Sequence, residues 1–146
     1  MMRREGEFDE KEFERRVRAA LGGKKDLRLA KDTLAKYRKY LEANLTIPCV
    51  LTGIEDFLWE EFYVLGPGDK AEYEELKKTN ASYTDQFEWI GFEDGFGGME
   101  GGLLVKVRRI SDRKRFVLPL DELKVVDKKS ANYQLVDDYA VWAVNY

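Results

Sequence analysis

Between Ile54 and Gly66 the chain reads IEDFLWEEFYVLG, and Glu55, Asp56, Glu60 and Glu61 fall within its first eight residues. Phe57, Leu58 and Trp59 separate the two acidic pairs, and Phe62 and Tyr63 follow them. Carboxylates grouped in this way have two ordinary uses. They form the solvated edge of a strand or hairpin, or they supply oxygens to a hard cation. Calcium takes roughly six to eight oxygen ligands from carboxylates, backbone carbonyls and water, so it needs clustered acids on backbone that bends. A turn between the two pairs would bring them together. A second stretch, GFEDGFGGMEGG over residues 91–102, is half glycine and carries Glu93, Asp94 and Glu100. Glycine lets carbonyls turn toward a ligand. The stretch has no Lys or Arg, so phosphate would meet only repelling carboxylates. It also lacks the alternating acids and final Glu of an EF-hand loop. Its bland alternative is a hairpin loop.

Other chemistries are narrower. The chain has no histidine, which excludes His general bases, His zinc ligands and Ser-His-Asp triads. Cys49 is the single cysteine, inside an apolar run with no base to activate it, and reads as a buried thiol. Any two of the acids could in principle serve a glycosidase, but acid pairs are common and a domain this small leaves little room for a sugar cleft. The basic patch KVRRISDRKR, residues 106–115, alternates with core residues, so a solvated face fits it better than a phosphate or RNA contact.

The net charge of −3 conceals a strong segregation. Residues 1–44 carry 13 Lys+Arg and 9 Asp+Glu, residues 45–102 carry 3 and 13, and residues 103–146 carry 9 and 6. The middle segment is therefore net −10 between flanks of +4 and +3. Like charges so concentrated repel unless the basic flanks or bound cations neutralise them. With 146 residues, 44% of them hydrophobic and 13% aromatic, one ordinary packed domain is expected. No run is apolar enough to span a bilayer and the start is charged rather than signal-like, so a soluble, cytoplasmic protein is expected, with no membrane or nucleic-acid partner.

The elements that must position these acids follow from periodicity. FDEKEFERRVRAALGG predicts a helix capped by Asp9, with Phe13, Val17 and Ala20 on one face and Gly22-Gly23 ending it. This helix is weakly apolar, so residues 1–23 are expected as an appendage on a domain of residues 24–146. A second helix is predicted from about Asp26 to Asn44, where Leu27, Ala30, Leu34, Tyr37 and Leu41 make one stripe. Strands are predicted at IPCVLTGI, EEFYVLG, QFEWIGF, GLLVKVRRI, RFVLPL and KVV, with a short Asp69-capped helix at KAEYEELKK. Pro119 marks an edge or strand end. The tail SANYQLVDDYAVWAVNY predicts a closing helix that is mostly buried. The expected fold is α+β: a small SH3-like twisted antiparallel sheet or barrel, flanked by N-terminal helices and a C-terminal helix.

Two stretches resemble a known family. YRKYLEANLTIPCVLTGIEDFLWEEFYVLG is similar to the start of the small CcbP-type calcium-binding proteins: a helix ending Tyr-Leu-Glu-x-Asn-Leu and then a short gap to Pro, here Tyr40, Leu41, Glu42, Asn44, Leu45 and Pro48. RKRFVLPLDELKVVD, followed by a helix with Asp137, Asp138, Tyr139 and Trp142, is similar to their end. The resemblance covers about residues 37–146. It implies a compact, non-enzymatic domain that binds calcium through acidic side chains, as a cytoplasmic buffer or signalling component. It brings no ligand list, and Glu55, Asp56, Glu60, Glu61, Glu93 and Asp94 are the candidates. The glycine-rich loop would then be a second site or a flap over the first. The rival is a metal-free SH3-like interaction module. Its surface would be Trp59, Tyr63, Tyr83 and Phe96, with acids steering a basic protein partner.

Overall fold

The computed structural model describes residues 8–97 and 101–146, with residues 95–97 described as backbone only. Helix α1 spans Glu10–Ala20, and the Asp9 carboxylate accepts from the Glu12 N–H at 3.3 Å. Phe13, Val17, Ala20 and Leu21, all buried, join the same apolar cluster as the strands.

Helix α2 is Lys31–Asn44, five residues shorter at its start than its apolar stripe suggests. Asp26 does not begin a helix, because its carboxylate is held by the Arg28 N–H and guanidinium. Leu27 is buried ahead of the helix, outside any regular element, and its carbonyl accepts from Trp142 Nε1 at 2.6 Å. A helix through Leu27 would have committed that carbonyl to an amide four residues on. Thr33 makes the cap instead, its Oγ1 accepting from the Ala30 N–H at 2.8 Å.

Five antiparallel strands follow: β1 Val50–Gly53, β2 Phe87–Gly97, β3 Gly102–Arg109, β4 Arg115–Pro119 and β5 Leu123–Val125, in the order β4-β3-β2-β1-β5. The α+β class is as expected. The sheet is not closed: β4 and β5 are its edges, so the structure stops short of the expected SH3-like barrel. A single 3-10 turn, Leu120–Glu122, carries the chain from one edge to the other. The three residues of β5 are all taken up pairing with β1. In β2 the register shifts between Trp89 and Gly91, so Phe92 joins Phe87 and Trp89 on the buried side and Ile90 is exposed. The final helix, Ala131–Asn145, packs on β5 and the 3-10 turn, and α2 and α1 pack against it in turn. No helix among the described residues is long and apolar enough to cross a membrane.

The chain between β1 and β2 departs most from expectation. EEFYVLG is not a strand: Leu58–Glu60 is a 3-10 turn that runs into helix α3, Glu61–Val64. A second short helix, α4 (Lys70–Leu76), begins where Asp69 accepts from the Glu72 N–H at 3.0 Å. The final helix is therefore α5. The excursion returns alongside β1, where Tyr83 O accepts from the Gly53 N–H at 3.0 Å. A Cβ on Gly53 would stand 2.5 Å from Tyr83 Cβ, so only glycine allows this approach.

Leu103, Val105 and Val107 form the buried row of β3, and Arg109 continues it at 3% exposure. The basic patch is thus not a uniformly solvated face. The Arg109 guanidinium donates to the carbonyls of Lys77, Lys78 and Asn80 and to the carboxylates of Asp85 and Asp112. It collects the chain leaving α4 and fastens it to the β3–β4 hairpin. Arg109 in turn holds the Asp112 carboxyl down from 3.8 to about 2, helped by the Lys114 N–H. A depressed carboxylate contributes stability that is present above its unfolded value and lost as the pH falls through its folded value. The Arg109→Met variant is expected to lose about 3 kcal/mol of unfolding free energy in a urea titration. Asp112→Asn is expected to melt below the parent at neutral pH, with the gap closing between pH 3.8 and about 2. A gap that persists at lower pH would count against the pairing as its cause.

Candidate cation-binding carboxylates

Glu60 is fully buried, unlike its neighbour Glu61, which is exposed. Its Oε1 accepts from the N–H groups of Phe57 (3.2 Å) and Tyr83 (2.8 Å). Its Oε2 accepts from Tyr73 Oη (2.6 Å) and Ser82 Oγ (2.7 Å). The reach back to Phe57 is one half of a capping box, and it explains why this stretch is helical. Ser82 N–H then donates to Asp85 Oδ2, which also accepts from Arg109. A continuous polar chain therefore links Glu60 to Arg109. The oxygens of Glu60 are spent on holding the excursion together.

The other predicted acids scatter. Glu55 is exposed and Asp56 half-buried, ahead of the 3-10 turn. Glu93 and Asp94 lie on β2 and face α2, where Arg38 Nη1 is 3.4 Å from Glu93 O and 3.6 Å from an Asp94 oxygen. The first acidic pairs do not meet across a turn, because helical geometry turns Glu60 inward and Glu61 outward. Glu100 and Gly98 lie outside the described residues, as does the side chain of Phe96. Among the described residues, no three Asp, Glu or Cys side chains are grouped closely enough to hold a metal ion.

The structure does bring together acids that the sequence reading did not single out. The Ile54 N–H donates to Glu122 O at 3.0 Å, which sets Glu55 beside Glu122 at the end of the β1–β5 ladder. Partial burial raises the Glu122 carboxyl above its ordinary value, and the charges of Asp121 and then Glu55 add to the shift. Asp121 Oδ1 would lie 3.3 Å from a Cβ on Gly102, so it faces the base of the glycine-rich β2–β3 hairpin. These are hard oxygen donors, the type calcium takes, on a turn beside a glycine-rich sequence. The signal in the sequence was the DEL turn itself. Its meeting with Glu55 depends on a pairing between β1 and β5 across some seventy residues of chain.

Asp137 and Asp138 are differently placed. Asp138 is clamped by Arg16 at 2.7 and 3.1 Å and by Gln134 at 2.8 Å, beside a cleft lined by Tyr37 and Tyr40. Its oxygens are already engaged. Burial pushes the Cys49 thiol up to about 11, as suits an inert residue. Of the aromatics expected on an interaction surface, Trp59 donates its Nε1–H to Ala81 O at 2.7 Å, Tyr63 stacks on Tyr73 and Tyr83 packs on the core.

No family model and no curated protein matches this chain. Among solved structures, the crystal structure of Anabaena CcbP has a similar fold, with a TM-score of 0.57 over 94% of this chain and 93% of that chain at 12% identity. The likeness is CcbP-like in fold, and it reaches further than residues 37–146.

A carboxyl raised in the folded state costs nothing below its unfolded value of 4.5 and costs progressively more as the pH rises through its folded value. The Glu122→Gln variant is therefore expected to melt above the parent at pH 7 without added calcium, and to match it at pH 4. No gain at pH 7 would mean that the crowding of Glu122 is relieved in solution. The Glu60→Gln variant is expected to lose about 2–3 kcal/mol in a urea titration, since its four donors are arranged for a charged acceptor. An unchanged midpoint would deny Glu60 its structural role.

Proposed function

We propose that this chain is a non-enzymatic calcium-binding protein, acting in the cytoplasm as a buffer or signalling component. The observation that carries the reading is a coincidence of two kinds. The backbone has a CcbP-like fold over nearly its whole length, and the side chains at residues 37–66 and 113–142 resemble the CcbP-type calcium-binding family. The charge distribution supports it. From the basic flanks, Arg38, Arg108 and Arg109 pair with Asp94, Glu88 and Asp85 of the acidic segment. Glu55, Asp56 and Glu61 make no ion pair among the described residues.

The proposed place for the ion is the end of the β1–β5 ladder, where Glu55 lies beside Glu122 and the neighbouring Asp121 faces Gly102; these carboxylates are not grouped as a formed site, so the ion would have to draw them together. Asp56 and Glu61 would strengthen the field there. Glu93 and Asp94 would contribute only if the ion displaced Arg38, and Glu60 would contribute through the fold alone. No chemistry is asked of the ion beyond neutralising carboxylates.

Calorimetric titration of chelator-stripped protein is expected to give saturable heat with calcium and little with magnesium. A folded-state ligand at a hundredfold excess over its Kd would also add about 2.7 kcal/mol of stability and raise the Tm. The Glu55→Gln/Glu122→Gln pair is expected to weaken calcium binding at least about tenfold, or about 1.4 kcal/mol, and Glu93→Gln/Asp94→Asn is expected to weaken it far less. Neither heat nor a calcium-dependent Tm shift would sink the calcium reading. A loss confined to the second pair would move the site to the Arg38 side of the sheet.

A further inference from the structure

The run Leu58–Val64 is amphipathic the wrong way round for a free surface. Its inner side is Trp59, Glu60 and Tyr63, engaged as described above. Its outer side presents Leu58, Phe62 and, one residue past the helix, Leu65, which are 76%, 56% and 77% exposed. Spacings of four and three residues align them in one stripe. Contiguous exposed apolar side chains of this size, rimmed by charge, mark interaction sites.

The stripe is rigidly mounted. The Gly68 N–H donates to Phe62 O at 3.0 Å, folding the Gly66–Gly68 turn onto the end of α3. A Cβ on Gly66 would stand 2.7 Å from Phe62 O, so the turn admits no larger residue without shifting. The Tyr63 and Tyr73 rings stack with centroids 5.3 Å apart, and Tyr63 Oη donates to Glu72 at 2.9 Å. A surface ordered in advance loses little conformational freedom on binding.

Charge selects the occupant. Residues 54–76 carry eight Asp and Glu against one Lys, and of these Glu55, Glu61 and Asp69 are exposed around the stripe's own segment. Nucleic acid and anionic membrane would be repelled. A second copy docking through the same patch would set acidic rim against acidic rim, since a two-fold interface pairs a surface with itself. We propose that the Leu58–Phe62–Leu65 stripe is the docking site for a basic amphipathic segment of another protein. The apolar residues of that segment would lie on the stripe, and its Lys and Arg would lie against the acids at its edges. This inference stands apart from the calcium reading.

The test uses a fluorescein-labelled Leu/Lys peptide of about 14 residues, or roughly four helical turns, with leucines at helical spacing. Its anisotropy is followed on titration with the full chain in chelator, so that failure of calcium binding leaves the result untouched. Saturable binding is expected, weakened at least about tenfold by Leu58→Ser/Leu65→Ser and also weakened by Glu61→Lys. Both leucines are exposed, so the double variant should keep the parent Tm. A Leu/Glu peptide is expected not to bind. Absence of binding, equal binding by the double variant, or equal binding of the acidic peptide would each overturn the proposal. So would phosphatidylserine vesicles capturing the protein, or sedimentation showing a dimer that the double variant loses, because the occupant would then be a membrane or a second copy.

Discussion

Glu60 takes a negative charge into the interior, and its charge is met by hydrogen-bond donors rather than by a basic side chain. A buried carboxylate without compensation costs several kcal/mol. Here two backbone amides and two hydroxyls, from Phe57, Tyr73, Ser82 and Tyr83, surround it. All four lie in the excursion between β1 and β2, so one carboxylate gathers a segment that has few apolar groups to gather it. Neither α3 nor α4 contains a buried side chain. At the far end of the same polar chain Arg109 does the converse job, a buried cation surrounded by carbonyls and carboxylates. Ser82 and Asp85 join the two centres. The excursion is thus organised by opposite charges that never touch, each solvated by oriented groups of the protein. Its outward surface is left exposed.

That division accounts for the uneven acids of the middle segment. Glu60, Asp85, Glu88 and Asp94 are engaged by donors or by arginines. Asp69 caps α4. Glu72, Glu74 and Glu75 on α4 are met by Tyr63, Lys77 and Lys78, and Glu55 lies beside Glu122 at the end of the β1–β5 ladder. The proposed calcium site and the proposed docking stripe share this acidic region and differ in what they add to it. The first adds the turn at Asp121 and Glu122, and the second adds the outer face of the Leu58–Val64 run. The CcbP-like fold supplies the β1–β5 ladder on which the first depends.

Much of the scaffold was legible. Local signals suffice for α1, α4, α5 and all five of the strands, because caps, glycines and alternating apolar residues are all readable within a few positions. EEFYVLG misled because its apolar residues suit either period, and what decides is a set of donors up to 23 residues away. The start of α2 misled because Leu27 continues the stripe while its carbonyl is claimed by Trp142. Arg109 sits in a basic patch, and only its place in the alternation of β3 hints that it points inward. The proposed site was only partly within reach of the sequence. Glu55 could be proposed from the company it keeps, whereas Asp121 and Glu122 reach it through a strand pairing that no local pattern encodes.

The two terminal helices are stitched to each other and to the chain between them. Arg16 holds Asp138, Tyr146 Oη donates to Glu14, and Trp142 reaches Leu27. Such contacts span more than a hundred residues, and folding slows as contacts become less local. During synthesis, at about 5–20 residues per second, the sheet is complete before α5 exists, and the apolar side chains that α5 will cover stay open to water. The final collapse therefore waits for the last helix. A chain stalled before residue 131 would display the inner face of its sheet, which is the form a chaperone would have to recognise and hold.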